Sequence, residues 1–236
     1  MRVLPILFNT EMVRAILDGR KTVTRRICKD GDDYTVPDMG FYSADRRTYV
    51  AHSYADKRHK DKLSLVERPC PICPGDILYV RETWTYHENA EGGIIFKARC
   101  PEKLAKTKKW HPSIHMPKEA TRIWLKVTDV RVERLKDITE EQAMKEGFSG
   151  IRCGCGGTAY ACTDCYNTGW IEPPFVGFMY TWNSTIKKAD LDRYGWDANP
   201  WVWVIEFSRC ERPDENEFAG SSEWKDNFMQ RFCKVN

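Results

Sequence analysis

Thr10-Glu11-Met12-Val13-Arg14-Ala15-Ile16-Leu17-Asp18-Gly19-Arg20-Lys21-Thr22-Val23-Thr24-Arg25-Arg26 divides into an amphipathic half and a cationic half. In the first half a hydroxyl at Thr10 precedes apolar residues at Val13, Ile16 and Leu17. That spacing predicts a short helix, and Gly19 falls where a helix end favours a left-handed residue. From Gly19 to Arg26 the chain carries four cations and two hydroxyls. The helix end fixes where this run emerges, and as a loop it would meet an anionic ligand there. With a suitable turn, Lys21 and Thr24 would form an amine and hydroxyl pair, although a hydroxyl is a weak nucleophile until a base activates it. A solvated basic loop is the commoner reading of such a run.

Outward from this stretch the signals are mostly those of short strands. Residues 3–8 form an apolar strand, and residues 27–68 carry no sustained period, which reads as a long insertion, partly mobile, with a short hairpin around residues 40–50. Pro74-Gly75-Asp76 turns into a strand at 77–80, and Glu91-Gly92-Gly93 turns into its hairpin partner at 94–98. Residues 122–132 are a long strand with Ile123, Leu125 and Val127 on one face. A helix follows with Thr139 and Gln142 in capping-box register, Glu146 in its last turn and Gly147 at its cap. Residues 201–207 are apolar enough for a central strand buried on both faces, and 211–236 read as a peripheral polar tail. The elements predict an α+β fold: one domain over 1–210, a small mixed β-barrel with flanking helices. No internal repeat, low-complexity tract or glycine-rich phosphate loop appears.

At 236 residues, 30% charged and 42% apolar, the composition is that of a globular domain with a core of its own. No apolar run approaches a membrane span, and the first residues lack the apolar core of a signal peptide, so no membrane partner and a cytoplasmic location are expected. The net charge of +3 excludes a general polycation. Clusters at 57–60 and 103–109 are basic; such patches hold nucleic-acid backbones or, more commonly, are solvated lysine faces.

Ten cysteines in a reducing compartment read as metal ligands before disulfides. Cys153-Gly154-Cys155, then six residues, then Cys162-Thr163-Asp164-Cys165 supplies two close thiolate pairs across a glycine-bearing spacer. This predicts a zinc-knuckle-like loop inserted at 148–172, holding structural zinc, with free cysteines as the alternative. Four sulfurs leave no open coordination position, so no catalytic cofactor is expected. Cys70-Pro71-Ile72-Cys73 is either a turn with two core residues or a further metal site.

Gly19-Arg20-Lys21-Thr22-Val23-Thr24 with Arg26 resembles the signature of ASCH domains, small β-barrels related to PUA RNA-binding modules. It is especially similar to that of the small ASCH enzymes that hydrolyse the amide of N(4)-acetylcytidine. Pro5-Ile6-Leu7-Phe8, Pro74-Gly75-Asp76, Val80-Arg81-Glu82-Thr83-Trp84, Pro112-Ser113-Ile114-His115-Met116-Pro117 and Asn199-Pro200-Trp201-Val202-Trp203 resemble longer, phage- and prophage-borne members. Arg25 stands where the pattern has an apolar residue. The resemblance implies a catalytic group of Lys21, Thr24 and Glu146, acting on a modified nucleoside, nucleotide or RNA, with DNA as a further possibility.

The remaining candidates are read beside that implication. A helix C-terminus disfavours the Glu146 carboxylate, and burial there would favour its acid form, as proton transfer needs. Arg20, Arg25 and Arg26 suit a phosphate or a base edge, or else surface ion pairs. Trp84 is placed to stack a base and Glu82 to accept from an exocyclic amine, although strand aromatics usually pack in cores. His115, in a proline-stiffened loop, is a pocket wall or a structural residue. Besides amide hydrolysis, a non-catalytic RNA- or DNA-binding module and a single-stranded RNA nuclease remain as alternative functions.

Overall fold

The computed structural model describes residues 1–29, 36–43, 48–56, 59–87, 90, 93–158, 162–166 and 168–213; for the strands within 36–69 it describes the backbone only. In chain order the elements are β1 (Val3–Leu7), α1 (Thr10–Leu17), β2 (Val23–Ile27), β3 (Val36–Ser43), β4 (Thr48–Asp56), β5 (His59–Pro69), β6 (Ile77–Arg81), β7 (Trp84–Tyr86) and β8 (Ile94–Phe96). There follow α2 (Glu102–Ala105), β9 (Trp124–Arg134), α3 (Glu140–Lys145), β10 (Ile151–Arg152), β11 (Trp170–Glu172), α4 (Pro174–Thr185), α5 (Leu191–Tyr194) and β12 (Trp201–Cys210). The fold is mixed α+β: several sheets with few and mostly short helices. No helix among the described residues is long and apolar enough to cross a membrane.

The organising sheet has the order β1-β6-β9-β12-β2, parallel between β1 and β6 and antiparallel elsewhere. Among the described residues it does not close into a barrel, contrary to the expectation, because β1 and β2 are its two edges and are not paired with each other. They are joined through α1, and a single side chain spans the gap: the Arg26 guanidinium donates to the Leu7 carbonyl at 3.1 Å.

Strand β12 is buried on both faces, as its apolar run predicts. Trp201, Trp203, Ile205 and Phe207 enter one core with β1, α1, β6 and β9, while Val202 and Val204 enter a second core beneath α3 and α4. Along β9, after Trp124 at its start, the buried residues are Leu125 and Val127, then Val130 and Val132. A bulge opposite the Glu206–Phe207 step leaves Thr128 unpaired and moves the inward face from odd to even positions.

Several local expectations change. The cationic run is not a loop from Val23 onward but edge strand β2, held by β12. The cap of α1 is Asn9, whose side chain accepts from the Met12 N–H, so Thr10 is already inside the helix. Strand β8 pairs with β7 rather than with β6, because β6 is occupied on both sides by β1 and β9. The segment read as an aperiodic insertion holds an antiparallel meander, β3-β4-β5. Its first hairpin falls near the expected place, with Ser43 opposite Thr48. Lys57 and Arg58 of the basic cluster, and the tail beyond Pro213, lie outside the described residues.

Two helix ends meet where β2 begins. At the end of α1 the Arg20 N–H bonds to Ala15 O (2.9 Å) and the Gly19 N–H to Ile16 O (3.1 Å), with Gly19 at φ +75°. Helix α3 opens on the expected Thr139–Gln142 capping box and ends in the same way, with Phe148 N–H on Ala143 O (3.2 Å) and Gly147 at φ +100°. Both are Schellman closures. They are pressed together: a Cβ built on Gly147 would lie 2.7 Å from the Ala15 Cβ. Gly147→Ala therefore combines a left-handed penalty with an overlap, and should cost about 2–4 kcal/mol. Urea unfolding checks this, and a loss within error of zero would show that the two ends can separate freely.

Candidate functional site

The junction of the two helix ends delivers Lys21 into the interior. Thr22 N–H bonds to Lys145 O at 2.8 Å, and the Lys21 side chain, fully buried, turns beneath the end of α3. Its ammonium meets three oxygens: Glu146 Oε2 at 2.5 Å, Val23 O at 2.8 Å and Glu146 O at 3.0 Å. A cation at a helix C-terminus is favourable, and three acceptors match its three protons. Burial draws the Lys21 amine below its usual range, against the pull of Glu146 in the other direction. Lys21 is therefore paired with Glu146 and not with Thr24.

Glu146 is buried as well, and two cations bond to the carboxylate that the sequence leaves beside a bare helix end. Its second oxygen, Oε1, accepts from Arg25 at 3.2 Å. Arg25 is completely buried and also donates to Gln142 Oε1 (2.9 Å) and Glu133 (3.4 Å). Its Nε has no hydrogen-bond partner among the described residues. Arg26 is half-buried over the Phe8 ring and donates to Thr24 Oγ1 at 2.9 Å. Thr24 is wholly buried, and with Arg26 donating to its oxygen its own proton is left for another acceptor.

The gap between the edge strands opens onto a cavity of about 540 Å³. Leu7 from β1, Thr24, Arg25 and Arg26 from β2, Trp203 and Ile205 from β12 and Glu146 all line it. Phe178, Thr181 and Trp182 of α4 add an aromatic wall, and Pro71 and Ile72 also contribute to the lining. Trp182 is oriented by its indole N–H, which donates to Tyr194 O at 2.8 Å. An apolar cleft with a few converging polar groups is the usual form of a small-molecule site. It suits a flat, largely apolar ligand with one hydrogen-bonding edge.

Of the residues expected at a site, Thr24, Arg25, Arg26 and Glu146 share this cavity, and Lys21 stands directly behind Glu146. Arg20 stays at the surface, bonded to Gly147 O (2.8 Å) and Asp18 (3.0 Å). Glu82, Trp84 and His115 are not among the lining residues. Glu82 is buried in a bidentate pair with Arg122, at 2.8 and 2.9 Å. Trp84 packs in a third core with Met116 and stacks on His111, ring centroids 4.9 Å apart. His115 is exposed in a 3-10 turn. The aromatic wall was missed because α4 has a weak amphipathic pattern. Its legible marks are Pro174 at the first helical position and the i, i+4 pair Phe178 and Trp182.

The four cysteines of the loop gather at the end of the β10–β11 ribbon. The Sγ atoms of Cys153, Cys155, Cys162 and Cys165 all lie within 4.8 Å of one another, close enough to hold one metal ion. The Cys153–Cys162 and Cys155–Cys165 separations are 3.7 and 3.3 Å. A disulfide requires ~2.05 Å, whereas a tetrahedron of ~2.3 Å metal–sulfur bonds has edges of about 3.8 Å. The donor set therefore fits a tetrahedral ion. The Gly157 N–H donates to Cys155 Sγ (3.3 Å) and pulls that thiol down to about 6, which favours the ligating thiolate. Cys70 and Cys73 instead join the main core. The Cys73 N–H bonds to Asp76 (3.0 Å), itself paired with Arg2.

Comparison with protein-family models, curated proteins and solved structures finds no match to this chain.

Burial pushes the Glu82 carboxyl above its usual range, against the lowering effect of Arg122. The folded chain then holds a proton that the unfolded chain has released. This group's stabilisation is full below the ordinary carboxylate range and is lost as pH rises through the raised value. From pH 4 to pH 7 the melting temperature of Glu82→Gln should rise relative to wild type; a gap independent of pH would refute the assignment.

Proposed function

We propose that this chain is an ASCH-type amidohydrolase that removes the acyl group from the exocyclic nitrogen of a modified cytidine, as nucleoside or within RNA. The observation that carries the reading is the meeting of Thr24, Arg26 and Glu146 at one aromatic-walled cavity, with Lys21 bonded behind Glu146. These residues are motif positions separated by more than a hundred residues of chain, and the same motif implies a PUA-like core built on the five-stranded sheet. In this reading the base lies along Phe178 and Trp182. Water attacks the acyl carbon, held by Thr24, and gives its proton to Glu146. Arg26 faces the oxyanion that develops on the acyl oxygen. The carbon–nitrogen bond breaks as Glu146 returns the proton to the leaving nitrogen, so acyl amide and water become carboxylic acid and cytidine amine. Lys21, whose three protons are already committed to oxygens, holds Glu146 in place rather than serving as base. Acetate release from N(4)-acetylcytidine tests this: Thr24→Ala and Glu146→Gln, which keeps the buried hydrogen-bonding shape, should each lose about 100-fold or more in kcat/KM while remaining folded. Absence of turnover by folded wild type would reduce the cavity to a binding pocket, and shortening of an RNA oligomer would point to a nuclease instead.

We further read the four-cysteine cluster as structural zinc, which implies a reducing compartment such as the cytoplasm. Four sulfurs complete its coordination, so the ion would hold the ribbon that leads into α4 and supply no step of the hydrolysis. Metal analysis should find about one zinc per chain, lost in Cys162→Ser with Cys165→Ser. Four freely alkylated thiols in folded, zinc-supplemented protein would rule it out.

A further inference from the structure

The Glu146 carboxylate is reached from two sides by different kinds of cation. The Lys21 ammonium contacts Oε2 as a point charge, and one such contact fixes where the carboxylate is but leaves its plane free to turn, because the terminal torsion of a glutamate is broad. Arg25 touches the other oxygen, Oε1, at 3.2 Å. Its guanidinium is in turn fixed by Gln142 at 2.9 Å, by Glu133 at 3.4 Å and by the Phe178 ring 5.8 Å below it. Two contacts define a plane where one does not.

Arg25 bears the marks of a residue retained for this purpose rather than for stability. Its side chain is entirely buried, and its Nε–H has no hydrogen-bond partner among the described residues. A well-packed apolar side chain avoids both costs. Nor does it have the form of a substrate clamp, since both terminal nitrogens are already engaged within the protein.

We propose that Arg25 is a positioning residue that fixes the plane of the Glu146 carboxylate toward the cavity. Its catalytic consequence rests on the hydrolytic reading above. With Lys21 on one oxygen and Arg25 on the other, the remaining lone pairs of Glu146 are left for the ligand. The groups facing Glu146 are Lys21, Arg25 and Arg26 from the β2 segment, Glu133 of β9 acting through Arg25, the neutral Gln142 of α3, and Phe178 of α4, which carries no charge.

The test pairs Arg25→Met, which keeps bulk and removes charge, with Arg25→Lys, which keeps charge and removes the planar fork. It reads kcat and KM separately, and the orientation of the Glu146 carboxylate in a crystal of each variant. In both variants kcat at neutral pH should fall about tenfold with KM nearly unchanged, and the carboxylate plane should turn from its wild-type orientation. An unmoved plane in folded Arg25→Met overturns the proposal, as does a rise in KM alone, which would make Arg25 a substrate contact. Should Arg25→Met fail to fold, Arg25→Lys decides: full kcat with an unmoved plane overturns the proposal, and reduced kcat with the plane turned supports it. A turned plane in a protein that never turns over substrate would leave Arg25's role standing and remove the hydrolytic reading alone.

Discussion

The buried pair between Lys21 and Glu146 is the contact on which the surrounding architecture depends. Removing two such ions from water costs several kcal/mol each before any attraction is counted, so a bare pair would be a poor choice for stability. Here the cost is offset by geometry. Lys21 fills three acceptors, one of them the carbonyl at the end of α3, and Arg25 takes the second carboxylate oxygen. The pair can form only if α1 and α3 end at the same place, which the two glycine closures allow: at Gly147 an added Cβ would lie 2.7 Å from the Ala15 Cβ. A buried ion pair of this kind selects one arrangement of the helices over others more than it deepens the well.

From that junction the edge strand β2 runs away along β12, and the opposite edge, β1, is never paired with it. An unpaired edge is ordinarily a hazard. Here it faces a cavity roofed by α4, and Arg26 bridges the gap to the Leu7 carbonyl. The incomplete closure of the sheet is thus what makes room for the cavity. It also explains why the cationic run serves as both structure and site. Along β2, Arg25 is consumed internally while Arg26 and Thr24 share one hydrogen bond beside the cavity.

The cysteine knuckles stand at the other end of the same wall. The β10–β11 ribbon passes through Pro173 directly into α4, and Gly150 sits so close to Glu172 and Pro174 that an added Cβ would lie 2.4 Å from the Glu172 carbonyl oxygen. The ribbon therefore sets the start of the helix that carries Phe178 and Trp182.

What could be read from residue order alone was local. The Gly19 and Gly147 closures, the Thr139–Gln142 capping box, the doubly buried run of β12 and the four-cysteine spacing each depend on residues a few positions apart, where backbone sterics and ligand geometry act directly. The polar strands of the meander and the helix α4 were not legible, since neither carries a strong apolar period. Beyond reach, too, was the pairing of Lys21 with Glu146, the choice of Arg25 over Arg20 as a buried cation, and the failure of β1 and β2 to pair. Each joins residues distant in the chain, and its energy depends on burial and partner geometry, which exist only once the sheet and the helix ends have come together. The sequence names the charged groups; their environment determines which are solvated, which are paired and which face a ligand.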